Sequence, residues 1–199
     1  MVAPADPKAA ERRASILAAA RETFAEKGYE GTAVADIVSA AGIAQGTFYL
    51  YFPSKQDAFF ALAESFYAEM AGHVGAALGS GDPFAEQIRS ITRSCFAAAK
   101  QNADLVGLVF FGADSVSTEA QRRFSEANPV VDALLGMIQT GVAAGEFDIA
   151  DPEVTARLLV GLVRTALLEA FVLGDGSDAD RLERTTAQMF ASTLGVAAR

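Results

Sequence analysis

The amino-acid sequence predicts an all-α protein of about nine helices. Three observations carry this. Alanine, the strongest intrinsic helix former, makes up about a fifth of the 199 residues. Apolar residues recur at i, i+3, i+4 and i+7 along most of the chain. No stretch shows the period-two alternation of a half-buried strand. With 51% hydrophobic and 21% charged residues, the chain has the composition of a folded globular protein.

Residues 1–8 carry two prolines and little to bury, and read as a flexible tail. A first helix runs to Lys27 on a face of Ile16, Leu17, Ala20 and Phe24, with Gly28 as its terminating glycine. Thr32 stands where an N-cap for a second helix, 33–41, belongs. Gly42 stops that helix. A third spans 44–52 before Pro53, a residue that disfavours helix ahead of it. Ser54 with Asp57 is a capping box for a fourth helix to about Ala71. Gly72–Gly81 reads as a loop or a weak helix end. Asp82-Pro83 and Asp151-Pro152 each give a cap followed by proline at the first helical position. Residues 103–113 form a short apolar helix. The segment 118–145 is helical, bent or broken at Asn128-Pro129, and Ser177 with Asp180 opens a last helix to about Val196.

Several function classes are excluded by composition. One Cys and one His cannot build a Cys/His zinc site, and Cys95 has no partner for an intramolecular disulfide. Cys95 sits at helical spacing with Ile88, Ile91 and Ala99, as a small core residue does. His73 reads as a surface or helix-end residue. No cofactor motif and no nucleophile–base pair is visible, so an enzyme is not expected. Asp151 is explained as a cap, and the glycine-rich turns follow no strand. The apolar runs 105–113 and 158–163 are far short of the roughly 20 residues that cross a bilayer. No export signal opens the chain and the thiol is single, so a cytoplasmic location is expected.

The charge of -9 argues against nucleic acid only when it is taken globally. Residues 1–56 carry six bases and six acids, whereas the remainder carries 10 bases and 19 acids. All of the net acidity lies after residue 56. Within the neutral part, two short helices meet at Gly42 in the spacing of a helix-turn-helix, about 33–52. The second begins Ala44-Gln45-Gly46-Thr47. Gln45 can bond two edges of adenine, Thr47 can meet a base or a thymine methyl, and Gly46 permits close backbone approach. Phe48 and Phe52, four apart, point to the core. Tyr49 lies on another face within reach of phosphate, and Lys55 opens the next helix as a phosphate clamp.

These residues resemble the TetR family of bacterial transcriptional regulators. The resemblance rests on Phe24, Gly28-Tyr29, Thr32, Ile37, Ala41-Gly42-Ile43, Gly46-Thr47-Phe48-Tyr49, Tyr51-Phe52 and Ser54-Lys55, within about residues 10–70. It implies a DNA-binding domain over 9–55 and a helical regulatory, ligand-binding and dimerisation domain over 56–199. It implies a homodimer that binds a palindromic double-stranded operator, most often as a repressor released by a small-molecule effector. By position, Gln45, Gly46 and Thr47 face bases, and Thr32, Tyr49, Tyr51 and Lys55 face phosphates. The family often has Ser or Thr where Ala44 stands and His where Leu50 stands. Ala44 offers no capping oxygen, a loss of about 1 kcal/mol.

Leu158 to Leu173 is apolar nearly all round, so a second copy of the chain is expected to cover one side. The candidate interface is Leu158, Leu162, Leu167, Leu182, Met189 and Phe190. A ligand pocket is expected near Phe66, Phe96, Phe110, Phe111 and Phe171, suited to a hydrophobic, neutral or cationic compound given the acidic surroundings. The alternative is a protein–protein interaction or ligand-carrier module whose DNA-binding head is a relic.

Overall fold

The computed structural model describes residues 7–112 and 128–196, with side chains except at 111 and 112. Among the described residues the chain forms nine helices and no strand. They are α1 (Pro7–Gly31), α2 (Val34–Ala41), α3 (Gln45–Tyr51), α4 (Lys55–Leu78), α5 (Phe84–Gln101), α6 (Ala103–Gly112), α7 (Pro129–Ala143), α8 (Pro152–Leu168) and α9 (Ala179–Thr193). A single π-helical turn, Glu169–Leu173, extends α8. Helix α1 packs on α2, α4 and α6. Helix α4 lies against α5 and α7, and α9 against α5 and α8.

The predicted face of α1 is the buried one: Ile16, Ala20 and Phe24 are enclosed and Leu17 packs beside them. Gly28 takes φ 72°, ψ 166°, which breaks α1 and turns the chain into 29–31. Gly42 closes α2 at φ 62°, and the Ile43 N–H donates to the Val38 carbonyl at 3.2 Å, the Schellman pattern. Asp151 accepts from the Val154 N–H, and Asn128 from the Val130 N–H, each with proline next in the helix. The predicted stretch before Asn128 lies outside the described residues.

Four local expectations are corrected. Thr32 is not the cap of α2. Ala33 holds that position, and the Asp36 carboxylate accepts its N–H at 2.8 Å. Helix α4 does not stop near Ala71 but runs through Gly72 and Gly75 to Leu78. Each glycine costs about 1 kcal/mol of helix propensity, but Met70, Val74 and Ala77 are buried, and that packing outweighs it. Helix α5 is capped at Pro83, and Asp82 takes part through its carbonyl, which accepts from Gln87 Nε2 at 2.6 Å. The Ser177–Asp180 box does not form, because the Ser177 N–H turns back to Asp175 Oδ1 at 2.9 Å and α9 starts after Asp178.

A Cβ at Gly28 would meet no atom within 4 Å, so only its backbone conformation demands glycine. Gly28→Ala is expected to destabilise the protein by about 1–3 kcal/mol, read as a lowered urea midpoint with unchanged slope.

Candidate nucleic-acid interface and the cavity behind it

Seven residues are too few for a stable helix in water. Helix α3 is held by one stripe: Phe48 is fully buried and Phe52 nearly so. Their rings lie 5.8 Å apart, and the Arg13 guanidinium covers Phe52 at 5.1 Å. Nearby, Phe24, Tyr29 and Phe59 form an aromatic cluster with centroids 5.1–6.3 Å apart, joining α1 to α4. The other side of α3 is turned to solvent. Gln45, Gly46 and Tyr49 are exposed, and Thr47 and Tyr51 are half-buried at its flanks. A Cβ on Gly46 would meet nothing in the protein. Ala44 caps α3 without a side-chain bond, as its methyl group dictates.

Two expected phosphate contacts are engaged within the chain. Thr32 is 3% exposed, and its hydroxyl donates to the Gly28 carbonyl at 2.7 Å, with the Thr23 carbonyl at 3.2 Å. That proton is spent on the turn after α1. Lys55 Nζ donates to the carbonyls of Tyr29 (2.7 Å) and Thr32 (2.9 Å) and lies 4.3 Å from the Tyr29 ring centroid. Two of its three protons strap α4 to the turn between α1 and α2. Ser54 caps α4 by accepting from the Asp57 N–H, as expected.

Behind this layer is a cavity of about 40 Å³ between α4, α5, α6, α7, α8 and α9. Of the expected Phe set, Phe66 and Phe110 line it. Phe96 and Phe171 do not; they pack on each other at 6.0 Å. The Phe111 side chain lies outside the described residues. Tyr67, Met70, Cys95 and Arg164 also line the cavity and were not anticipated. Burial pushes both the Tyr67 phenol and the Cys95 thiol up to about 12, so each is held neutral. A buried neutral thiol is a packing group, not a redox sensor. Among the described lining residues Arg164 alone carries a charge; its Nη2 donates to the Phe110 carbonyl at 3.1 Å and its guanidinium lies 5.2 Å from the Phe110 ring centroid. Its signal in the sequence was a charge interrupting an apolar run.

The expected interface residues divide. Leu158 (69% exposed) and Met189 point outward, and Leu162 and Leu182 are half-buried. Leu167 and Phe190 are buried in the cavity wall and belong to the subunit's own core. Val154, also exposed, lies one turn before Leu158 on α8 and was missed. Among the described residues no group of acidic, His and Cys side chains is arranged to hold a metal, and no helix is long and apolar enough to cross a membrane.

Among the described residues, two connections tie α1–α3 to the helices around the cavity. One is α4 itself, from Lys55 at the turn to Phe66, Met70 and Val74 at the cavity. The other is a bidentate ion pair in which Arg21 Nε and Nη2 on α1 donate to Asp104 on α6, both at 2.7 Å. The Arg21 hydrogen bonds hold the Asp104 carboxyl below its usual range, and Asp104 raises Arg21 in turn.

The sequence matches the model of the bacterial regulatory proteins of the tetR family over residues 16–62. It matches the tetracyclin repressor-like C-terminal domain over 81–167. The chain is 29% identical to the uncharacterized HTH-type transcriptional regulator YvdT of Bacillus subtilis, over 82% of this chain and 84% of that one. It is 29% identical to the HTH-type transcriptional repressor KstR2 of Rhodococcus jostii, over 78% and 79%. The fold superposes with TM-score 0.80 on the transcriptional regulator FadR of Bacillus subtilis in complex with stearoyl-CoA, at 20% identity and covering 90% and 97% of the two chains.

Asp104 is lowered in the folded state, so its pairing stabilises the protein above the unfolded carboxylate range and is lost as pH falls through the lowered value. Both side chains are about a third exposed, which limits the contribution to about 0.5–1 kcal/mol. Asp104→Asn is expected to lower stability by that amount at neutral pH. In denaturant titrations the difference should close once the wild-type carboxylate is protonated.

Proposed function

Because the chain belongs to the TetR family of bacterial regulatory proteins, we propose that it represses transcription by binding a palindromic operator as a homodimer. A small lipophilic ligand releases it. The observation that carries the DNA-binding reading is the two-sidedness of α3: Phe48 and Phe52 are sealed inside, while Gln45, Gly46 and Tyr49 face out. Residues 9–55 then form the head and 56–199 the body. In the head, Gln45 and Thr47 read base edges, Gly46 admits close approach, and Tyr49 and Tyr51 reach phosphates. Thr32 and Lys55 position the turn beside them, Lys55 adding its charge. The name of the relative KstR2 as a repressor supports the direction of control.

The dimer reading rests on Val154 and Leu158 of α8 and Met189 of α9, large apolar side chains left exposed. An isologous pairing of these helices covers them and presents two α3 helices to half-sites roughly 34–36 Å apart.

The cavity supports the ligand reading. Its apolar wall suits an alkyl or ring system, and Arg164 favours an anionic end over the cationic one the acidic body suggested. The stearoyl-CoA held by FadR has that character. At about 40 Å³ the cavity has room for a few waters, far below the roughly 300 Å³ of an ordinary ligand site. Entry must therefore push α4 or α8 outward. Helix α4 carries the Lys55 strap, and Arg164 holds α6, which holds α1 through Arg21–Asp104. Displacement at the cavity thus reaches the head by two routes. A shift from 1:99 to 99:1 requires about 5.5 kcal/mol of differential binding.

Selection from a random duplex pool should return a palindrome. Tyr49→Phe should weaken its binding about tenfold or more, the loss of one charged hydrogen bond. Leu158→Glu should give a monomer by sedimentation and abolish tight operator binding. Failure to select any duplex would return the relic-head reading.

In calorimetry, a medium-chain carboxylate should bind better than the matching amine. Arg164→Gln should erase the preference, costing the carboxylate about 10–100-fold. Equal binding of the acid and the amine to the wild type would remove Arg164 from recognition.

A further inference from the structure

We propose that Leu50 is a sequence-reading residue that packs on the 5-methyl group of a thymine in each operator half-site. The proposal rests on the DNA-binding reading above and adds to it a specificity determinant of apolar chemistry. Leu50 is 82% exposed, the highest value among the large exposed hydrophobic side chains of the described residues. Its position on α3 explains why the fold leaves it bare. At 100° per residue, Leu50 stands 160° from each of Phe48 and Phe52, directly opposite the stripe that anchors the helix. Gly46, one turn earlier, shares that outward face and projects no side chain, and a Cβ there would meet nothing. The face most remote from the protein thus consists of bare backbone followed by an isobutyl group. A partner surface reaches the backbone at Gly46 and meets Leu50 next.

The chemistry of that partner follows. Leucine has no donor or acceptor, so it can neither hold a phosphate nor bond a base edge. In the major groove the one apolar feature of a base pair is the thymine 5-methyl group. The exposure of Leu50 is not part of the apolar face of α8 and α9, where Val154, Leu158 and Met189 lie. It belongs instead to α3, where Thr47 and Tyr49 are its polar neighbours on either side.

The test measures binding of the full chain and of Leu50→Ala to a selected duplex. In a series of duplexes each thymine is replaced in turn by deoxyuridine, which lacks only the methyl group. Leu50 makes no buried contact in the fold, so Leu50→Ala should melt with the wild type, and circular dichroism checks this. The expected result is one position per half-site where deoxyuridine weakens the wild type about fourfold per methyl removed. Leu50→Ala should be weaker on the thymine duplex by a similar factor and indifferent to deoxyuridine at that position, the non-additivity of groups in contact. A wild type that binds the duplex but tolerates deoxyuridine everywhere overturns the proposal and leaves the DNA-binding reading standing. So does a sensitive thymine that is equally sensitive in Leu50→Ala. A wild type that selects no duplex at all overturns both.

Discussion

The burial of Phe48 and Phe52 is the constraint from which the arrangement of this chain follows. An isolated seven-residue helix does not persist in water, because nucleation fixes several residues for very few hydrogen bonds. Helix α3 exists because its two phenyl rings are removed from water and packed on each other. At about 25 cal/mol per Å² of apolar surface, two such rings stabilise the helix by several kcal/mol, more than its propensity supplies. The same contact sets the rotation of α3 about its axis. Once the Phe stripe faces in, Gly46 and Leu50 face out, and no other feature is needed to orient the reading face.

Much of this was legible in the sequence, and the boundary has a physical origin. Gly28, Gly42 and Asp151 are legible because a cap or left-handed turn is decided by its own few residues. Phe48 and Phe52 were placed correctly because helical spacing fixes which residues share a side. Thr32 was misplaced because a hydroxyl can serve the helix ahead or the turn behind. Only packing against α1 decides for the Gly28 carbonyl. The continuation of α4 past Gly72 was hidden for the same reason: Val74 and Ala77 are buried by helices far away in sequence. The cavity was half-legible. Aromatic residues were a fair guide to the region, but whether Phe96 faces Phe171 or an empty space depends on helix rotation that one sequence does not reveal. The all-round apolar character of 158–173 suggests an outer face for Leu167, and for Phe190 of the helix beside it, yet both close the cavity from within.

Arg164 shows how a residue that breaks a pattern carries information. In α8 it interrupts an apolar run, and in the fold it reaches across to the last turn of α6. Cations near a helix C-terminus are favoured by the unpaired carbonyls there. Arg164 thereby fixes the end of α6 whose other end, through Asp104, is fixed to α1. Helix α6 has ten residues and is held at both ends by charged groups. A rod held this way transmits displacement better than one held by apolar contacts alone, because the hydrogen-bond geometry at each end resists sliding. Helix α4 offers a second rod, anchored by the Lys55 strap and by Ser54 at its N-terminus.

The distribution of charge then bears on how such a molecule finds and distinguishes DNA. Of the six cations before residue 57, Lys27 is paired with Asp36, Arg21 with Asp104, and Lys55 with two carbonyls. Pairing of this kind reduces the charge offered to phosphates, and counterion release is the main source of sequence-independent affinity. The body, with all of the net negative charge, repels the duplex and leaves the neutral head as the surface that approaches it. Weak non-specific attraction lowers absolute affinity, but it also lowers the background against which an operator competes. Under that condition direct contacts to base edges and methyl groups decide occupancy. In the proposed reading, an α3 that offers glutamine, bare backbone and leucine to solvent, and no lysine or arginine, is matched to such a regime.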